Sequence, residues 1–154
     1  MGQPLIRIIP VTAAVVVPLR YALLRPDEPY SHSQYPGDDA PDTIHFGLYV
    51  GDAEDQAVGS ASVIHEPFPG ESDPSHWRMR GVTVMPHLRG GGYGKRLVQR
   101  CLDYAMAQGA SLLWFYSSQM AIPFYLHLGF SIREHSAATD PAHPLIVKQF
   151  EAPM

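Results

Sequence analysis

The sequence predicts a mixed α/β domain, because segments with the two-residue period of strands alternate along the chain with segments that have the 3.6-residue period of helices. Turns rich in proline or glycine separate these segments, and the 154 residues include 15 prolines and 13 glycines. A chain of this length suits one compact domain with a single core. We therefore expect one domain over residues 1–154, with elements in the order β-α-loop-β-β-β-α-β-α-β-β.

In the first half of the chain, a short strand is predicted over residues 4–9, followed by an apolar helix over 13–24 for which Thr12 offers an N-cap. Pro18 lies inside this helix and is expected to kink it or to delay its start. The segment 26–43 is rich in proline and acidic residues without a period, so it is predicted to be a long surface loop. Three strands are expected next, over 44–50, 57–65 and 76–84.

The second half of the chain predicts two more helices and three more strands. Apolar residues recur with helical spacing at 97, 98, 101, 102 and 105, which favours a helix over 91–108 that ends at Gly109. The continuous apolar run at 111–117 predicts a buried strand. A short helix over 119–128, ended by Gly129, and two last strands around 130–134 and 145–151 complete the prediction.

Composition and charge exclude several classes of function. The formal net charge of −4 and the pI near 6.0 are unlike those of a nucleic-acid-binding protein, and no polybasic segment indicates binding to an anionic membrane. No run of about 18 apolar residues predicts a membrane span, and misplaced charges argue against a signal peptide at the N-terminus. Cys101 is the sole cysteine, which excludes an intrachain disulfide and fits a cytoplasmic location. The eight histidines show no metal-binding spacing, so no metal is predicted.

The motif that carries chemistry is RGGGYGK at residues 89–95, between a predicted strand and a predicted helix. Backbone N–H groups at a helix N-terminus are unpaired and lie at the positive end of the helix dipole, so they favour an anion. Glycine side chains do not obstruct the approach of a diphosphate to these N–H groups. Arg89, Lys95 and Arg96 add positive charge nearby. The motif therefore predicts a site for a pyrophosphate.

Other glycine loops fit the motif less well. A P-loop would need glycine at position 89 and serine or threonine at position 96, where the chain has Arg89 and Arg96. A dinucleotide fingerprint would need glycine at position 95, where the chain has Lys95. A flexible turn before a helix is the remaining structural alternative, but it does not require four glycines among cationic residues.

On these residues the sequence resembles the GNAT superfamily of N-acetyltransferases. Its acetyl-CoA loop has the form Arg/Gln-x-x-Gly-x-Gly/Ala, matched by residues 89–94, and its hydrophobic-x-Val-x-Pro lead-in is matched by residues 82–86. The segment 121–130, AIPFYLHLGF, resembles the A-x-x-F-Y-x-x-x-G-F signature of the same superfamily. A weaker similarity is to a bacterial subgroup with Leu24-Arg25, His45 and Arg80-Gly81. The resemblance covers nearly the whole chain and implies an α+β fold with a mostly antiparallel sheet of six to seven strands, flanked by about four helices.

The resemblance implies that the protein is an acyl-CoA-dependent N-acyltransferase of the EC 2.3.1 type, with acetyl-CoA as its cosubstrate. The positions that match the motifs assign these residues to cosubstrate binding: Val82, Thr83, Val84, Arg89, Gly90, Gly91, Gly92, Tyr93, Gly94, Lys95 and Ser117. Ser117 stands in a region where many members of the superfamily carry asparagine, so its contact is a departure from the pattern. A serine hydroxyl still has hydrogen-bonding capacity.

Direct attack of an amine on a thioester needs stabilisation of negative charge on the acyl oxygen and a proton for the departing thiolate. The resemblance implies that backbone groups of the fourth strand stabilise this negative charge. Tyr125 is the catalytic candidate for donating the proton to the thiolate. A tyrosine hydroxyl has an ordinary pKa of about 10 against about 8.5 for a thiol, so the transfer is downhill. The structural alternative is that Tyr125 is a core aromatic residue. The base stays open among five candidates: His45, His65, Glu66, Glu134 and His143.

Two features predict different acceptors. Arg25, Arg78 and Arg80 are candidates for a patch that recognises an anion, with ordinary surface charge as the alternative. The loop 26–43, with Tyr30, Tyr35, Asp38 and Asp39, is instead a candidate cover that attracts a cationic amine. We expect a primary amine of a small molecule or peptide as the acceptor, and a homodimer is possible for such domains. The alternative function is a non-catalytic acyl-CoA-binding sensor on the same fold.

Overall fold

The structure, a computed structural model, describes residues 5–51, 56–136 and 140–151. Its strands are β1 (Ile6–Val11), β2 (Ile44–Val50), β3 (Gly59–Ile64), β4 (His76–Val84), β5 (Leu112–Tyr116), β6 (Ser131–Arg133) and β7 (Leu145–Gln149). Its α-helices are α1 (Ala13–Leu24), α2 (Tyr93–Ala107) and α3 (Ile122–His127). Short 3-10 helices cover Tyr30–Ser33, Pro86–Leu88 and Gln119–Ala121. The predicted order of strands and helices is therefore confirmed.

The strands form a mostly antiparallel sheet of seven, in the order β1-β2-β3-β4-β5-β7-β6, which confirms the predicted fold class. The chain divides into two compact units, and both β4 and α2 pass from one into the other. The first unit consists of Met1–Ile64 and Arg80–Cys101, and the second of His65–Met79 and Leu102–Met154. The expectation of one acyltransferase domain over residues 1–154 stays a prediction.

In the first unit, β1 pairs antiparallel with β2, and β2 pairs antiparallel with β3. Every residue of β3 is buried, which explains its small and β-branched composition, GSASVI. Helix α1 buries Val16, Val17 and Arg20, which share one face because they are spaced i, i+1 and i+4. Because a buried charge needs hydrogen-bond partners, Arg20 determines how the loop after α1 is held.

In the second unit, β4 pairs parallel with β5 over His76–Arg78, and β7 pairs antiparallel with both β5 and β6. The run Leu112–Phe115 of β5 is buried, as the continuous apolar pattern predicts. A core cluster contains Phe68, Leu112, Trp114, Leu145 and Val147.

Local differences from the predicted elements have simple causes. Thr12 occupies the N-cap position of α1 in extended geometry, but its side chain makes no capping hydrogen bond. Pro18 lies within α1, in the sixth position, and the helix neither starts late nor ends there. The predicted helix 119–128 is a 3-10 turn followed by α3, and Gly129, with φ of 93°, follows its end. Residue 4, where the first predicted strand begins, and parts of two predicted loops lie outside the described residues.

None of the helices in the described ranges is long and apolar enough to cross a bilayer.

The thiol of Cys101 lies on the buried face of α2 and is fully inaccessible to solvent. Burial raises the pKa of this thiol well above its ordinary value, because the thiolate would be desolvated. We therefore predict that Cys101 does not react with a chromogenic disulfide reagent at pH 8 in the native protein and reacts stoichiometrically in denaturant, since the thiolate is the reactive form. Rapid stoichiometric labelling of the native chain would contradict the described packing of α2.

Candidate functional site

The loop between β4 and α2 uses its glycines for different reasons. Gly90 and Gly92 have φ values of 88° and 81°, a conformation that other residues rarely adopt, and open space surrounds both. Gly91 has no positive φ, but a Cβ at this position would lie 2.7 Å from the ring of Tyr93. The loop therefore turns sharply before α2 and keeps side chains away from the N-terminus of the helix.

The N-terminal end of α2 is positively charged and open. The first helical hydrogen bond runs from the N–H of Arg96 to the carbonyl of Gly92 (3.2 Å), so the N–H groups of Tyr93, Gly94 and Lys95 lack acceptors within the helix. No acidic residue occurs in the first turn, and Lys95 and Arg96 are exposed. The dipole and the side chains therefore both favour an anion at this end.

Arg89 bends back toward the strand that precedes the loop. Its Nε donates to the carbonyl of Val84 (3.2 Å), the last residue of β4. This contact ties the start of the loop to the end of β4. The Arg89 side chain is exposed, and like the rest of the loop it belongs to the first unit.

The end of β4 is held firmly by β3. The hydroxyl of Ser60 lies 2.9 Å from the carbonyl of Gly81 and 2.7 Å from Oγ1 of Thr83. Thr83 is buried, whereas Val82 and Val84 are partly exposed. Gly81 has a φ of 65°, which departs from strand geometry and re-aims the residues on either side of it. The structure thus brings Val82, Thr83 and Val84 into the same unit as the glycine loop.

Arg20 is fully buried beside this strand and makes a dense set of hydrogen bonds. It binds both carboxylate oxygens of Asp38 (2.7 and 3.0 Å), the carbonyl of Ser33 (3.0 Å) and the hydroxyl of Ser62 (2.9 Å). Its Nε has no hydrogen-bond partner among the described residues, and a Cβ at position 81 would lie 2.9 Å from it. Gly81 is therefore needed both for its φ and for the space that Arg20 occupies. Sequence analysis did not assign any role to Arg20.

His45 belongs to the same buried cluster and is not placed as a base. The backbone carbonyl of Asp38 can only accept a hydrogen bond, so Nε2 carries the proton of the neutral His45 ring and Nδ1 accepts from the Ser62 hydroxyl (2.6 Å). Nε2 of His45 then donates to the backbone carbonyl of Asp38 (2.9 Å). Both ring nitrogens are engaged and the side chain is buried. His45 therefore helps to order the loop between α1 and β2, and its contacts do not favour it as the base.

The other base candidates lie in the second unit. Nε2 of His65 contacts the carbonyl of Pro74, and its ring stacks on Trp77 at 4.4 Å between centroids. Glu66 forms an ion pair with Arg78 (2.9 Å). His143 is exposed and pairs with Asp140 (2.9 Å), and the hydrogen bond from His143 lowers the pKa of that carboxyl. Glu134 is exposed. These contacts single out none of them.

Tyr125 and Ser117 also lie in the second unit. The Tyr125 ring packs 4.5 Å from Phe115 and 5.7 Å from Phe130, and 8% of the residue is exposed. Ser117 is buried, and its hydroxyl donates to the carbonyl of Ser118 (2.9 Å). The hydroxyl proton of Ser117 is thus already used, although its oxygen retains acceptor capacity. The catalytic role of Tyr125 and the binding role of Ser117 stay predictions.

The three arginines of the predicted patch are divided between the units. Arg25 and Arg80 belong to the first unit, and Arg78 belongs to the second, where it lies 4.7 Å from the Trp114 ring. Arg25 pairs with Glu28 (2.9 Å), and this hydrogen bond raises the pKa of its guanidinium, with further contributions from Tyr35.

The acidic loop 26–43 is only partly available as an attractor for a cationic amine. Asp38 points inward to Arg20, with 7% of its side chain exposed, and Tyr35 is buried. Asp39 and Tyr30 are exposed. Half of the residues that suggested this role therefore serve to hold the loop in place.

Comparison with curated proteins finds a partial relative. The chain is 31% identical over 83 residues to a glucosamine 6-phosphate N-acetyltransferase of Trypanosoma brucei brucei. This match covers 54% of the chain and spans about half of the relative's length, 56%.

Comparison with solved structures finds the same architecture in other proteins, one of which is an acetyltransferase. The chain superimposes on Escherichia coli ElaA with a TM-score of 0.73, at 17% identity over 94% of this chain and 100% of the other. An IAA acetyltransferase from Bacillus cereus gives a TM-score of 0.70, at 16% identity over 95% of this chain and 100% of the other. At such identities the likeness shows the fold alone.

The sequence model of the acetyltransferase (GNAT) family matches residues 18–130, which include the second half of α1, the glycine loop and the FY-x-x-x-GF segment. The matched region is more than half of the chain. This protein therefore belongs to the GNAT family of acetyltransferases.

Proposed function

We propose that the protein transfers an acetyl group from acetyl-CoA to a primary amine on a small molecule or peptide. The observation that carries this proposal is the open, cationic N-terminus of α2, which follows a loop with two glycines at positive φ. Its N–H groups suit the pyrophosphate of an acyl-CoA, and family membership makes acetyl-CoA the expected donor. A cytoplasmic location, without nucleic acid or membrane as a partner, belongs to the same proposal, and a homodimer stays an expectation.

The residues fit this cosubstrate by shape as well as by charge. A side chain at position 91 would collide with the Tyr93 ring, and side chains at positions 90 and 92 would strain the backbone. The glycines thus keep the space in front of the α2 N–H groups free of side-chain atoms. Arg89, Lys95 and the N–H groups of Tyr93 and Gly94 are proposed to bind the phosphates, and backbone groups of Val82, Thr83 and Val84 to hold the arm that carries the thioester.

In this reaction acetyl-CoA supplies the activated acyl group, a C–N bond forms and a C–S bond breaks. Backbone groups of Val82, Thr83 and Val84 would stabilise the negative charge that develops on the acyl oxygen. Ser60 donates a hydrogen bond to the Gly81 carbonyl and accepts one from the Thr83 hydroxyl, and these contacts keep the segment rigid, so little reorganisation is needed. The amine releases a proton to water or to a nearby base, and Tyr125 is proposed to donate a proton to the departing sulfur.

The burial of the Tyr125 ring against Phe115 favours a second candidate, a non-catalytic acyl-CoA sensor in which Tyr125 is a core residue. The two functions differ in one observable, which is the release of CoA thiol on addition of an amine. Because Cys101 is buried, we expect its thiol to contribute no background to that measurement in the native protein. For acceptors, the partial relative suggests an amino sugar phosphate as one class to include.

The first test of cosubstrate binding compares two glycines at opposite ends of α2. Gly92 and Gly109 have the same φ of 81°, and a Cβ would meet nothing at either position, so Gly→Ala strains both backbones alike. We predict that Gly92→Ala raises the Kd of acetyl-CoA at least about tenfold, since the α2 N–H groups shift, whereas Gly109→Ala leaves it within about twofold. Calorimetric titration checks this, and equal Kd values for the two variants would contradict the proposed phosphate site.

The second test concerns the proton donor. Tyr125→Phe keeps the packed ring and removes the hydroxyl, so we predict a fall in kcat of about 100-fold or more with little change in the KM of acetyl-CoA. Tyr116→Phe, at an exposed tyrosine on β5, serves as the control and should leave kcat unchanged. If Tyr125→Phe turns over at the wild-type rate, Tyr125 is a core residue and the proposed acid is wrong.

A further inference from the structure

Arg20 reaches β4 at the residue where the strand changes direction. A Cβ at position 81 would lie 2.9 Å from Nε of Arg20 and 3.4 and 3.5 Å from its Cγ and Cδ. The stem of the arginine therefore packs directly on the backbone of Gly81, whose φ is 65°. Because glycine adopts negative φ about as readily as positive φ, the direction of β4 at this point depends on what packs against it.

Four hydrogen bonds hold this arginine in place. Its guanidinium donates to both carboxylate oxygens of Asp38, to the carbonyl of Ser33 and to the hydroxyl of Ser62, over 2.7 to 3.0 Å. These partners lie on the loop after α1 and on β3, so two elements besides its own helix fix the guanidinium plane. A planar group with donors in a rigid fork matches this set of acceptors, whereas an ammonium group does not.

The Nε of Arg20 is the one donor of this side chain that lacks a hydrogen-bond partner among the described residues. Of the Arg20 atoms, it lies nearest to the position that a Cβ of Gly81 would take. A buried N–H without an acceptor costs free energy, and native structures contain few of them. The other four donors determine where this N–H lies, so the fold keeps the packing on Gly81 although one donor stays unpaired.

Strand β3 holds the same stretch of β4 at two further points. The Ser60 hydroxyl donates to the carbonyl of Gly81 (2.9 Å). The backbone N–H of Met85, just after β4, donates to the carbonyl of Val58 (2.9 Å). Residues 82–84 therefore lie between two fixed points, and Arg20 is one of the groups that fix the first of them.

We propose that Arg20 is a positioning residue for acetyl transfer. By packing on Gly81, it sets the direction of the backbone groups at residues 82–84 that stabilise the charge on the acyl oxygen. This inference rests on the proposed acetyl transfer and concerns its reaction centre. A misplacement of about 1 Å in such groups can lower a rate about 100-fold, whereas binding of the phosphates depends on the loop that follows β4. A defect at Arg20 therefore lowers kcat more than it changes the KM of acetyl-CoA.

The experiment compares Arg20→Lys with Arg100→Lys in acetyl transfer to a panel of glucosamine 6-phosphate, spermidine and a peptide with a free N-terminus. Arg100 is a matched control, because it also ties a helix to a strand of the first unit, donating to the carbonyl of Ile8 (2.9 Å). Lysine keeps the positive charge at both positions and removes the planar set of donors. We predict that Arg20→Lys lowers kcat at least about tenfold with the KM of acetyl-CoA within about twofold, and that Arg100→Lys changes neither by more than about twofold.

A second readout follows the thioester itself, without turnover. The carbonyl ¹³C signal of labelled acetyl-CoA moves downfield when hydrogen-bond donors polarise the carbonyl. We expect the bound signal to lie downfield of the free signal in the wild-type chain and in Arg100→Lys. In Arg20→Lys the bound signal should move most of the way back to the free value. A loss of stability alone would leave the signal of the bound ligand where it is.

Two serine variants decide the question if Arg20→Lys does not fold. Ser62→Ala removes one acceptor of Arg20 without adding atoms, and it should lower kcat at least about threefold with little change in the KM of acetyl-CoA. Ser33→Ala is its control, because the Ser33 hydroxyl is buried and has no hydrogen-bond partner in the described part of the chain. The carbonyl of residue 33 that binds Arg20 remains in this variant, so it should keep the wild-type kcat.

The outcomes distinguish this inference from the proposed function. If acetyl-CoA neither binds nor releases thiol with any amine of the panel, the proposed acetyl transfer is wrong, and the role of Arg20 is wrong with it. If transfer occurs and Arg20→Lys keeps the wild-type kcat and carbonyl signal, or resembles Arg100→Lys in both, Arg20 does not position the reaction centre and the acetyl transfer stands. The same conclusion follows if Ser62→Ala and Ser33→Ala have equal kcat.

Discussion

The buried charge of Arg20 is the constraint on which the arrangement of the first unit depends. A guanidinium without exposure to solvent needs compensation of its charge and acceptors for its donors. Asp38, Ser33 and Ser62 satisfy four of its five N–H groups. Two of these partners lie on the long loop after α1 and one on β3, so a single side chain ties the loop to the sheet.

The burial of Arg20 also affects β4, the strand that is proposed to face the thioester. Arg20 packs against Gly81, whose positive φ changes the direction of β4, and through Tyr35 it positions Arg80. Ser60 of β3 forms hydrogen bonds with Gly81 and Thr83 of β4. Rigid backbone around residues 80–84 is what a site that stabilises a developing charge requires, because mobile donors would lose energy in reorganising.

The glycine loop, which follows the C-terminal end of β4, meets a different physical requirement. An anion site at a helix N-terminus needs unobstructed N–H groups and no competing carboxylate. Positive φ at Gly90 and Gly92 provides the turn, and the absence of acidic residues in the first turn of α2 leaves its positive end uncompensated. Within the first unit, backbone geometry thus serves the proposed acyl-CoA site.

The order of elements and the glycine loop could be predicted because they depend on local periodicity and on short motifs. The fully apolar run of β5 and the amphipathic pattern of α2 each identify an element without knowledge of its neighbours. Arg20 could not be assigned in the same way, since Asp38 and Ser62 are distant in sequence and nothing local specifies their meeting. One signal was present: Arg20 shares a helix face with Val16 and Val17, and a charge on an apolar face implies a buried partner.

For the same reason, the buried contacts of His45, one of the five candidates for the base, could not be predicted. Its position on a strand suggested access to a substrate, whereas its two nitrogens bind Ser62 and Asp38. The division of the arginine patch has a similar cause, because alternation along β4 places Arg78 and Arg80 on one face but does not determine what stacks on each. Long-range packing decides both cases.

The N–H groups at the start of α2 are proposed to bind the pyrophosphate of an acyl-CoA. The most direct measurement is the set of backbone amide chemical shifts on titration with CoA and, separately, with pantetheine, which lacks the phosphates. If these N–H groups bind the pyrophosphate, CoA shifts the amides of residues 90–95 most strongly and pantetheine leaves them unchanged. Equal shifts with both ligands, or shifts from CoA that avoid residues 90–95, would contradict it.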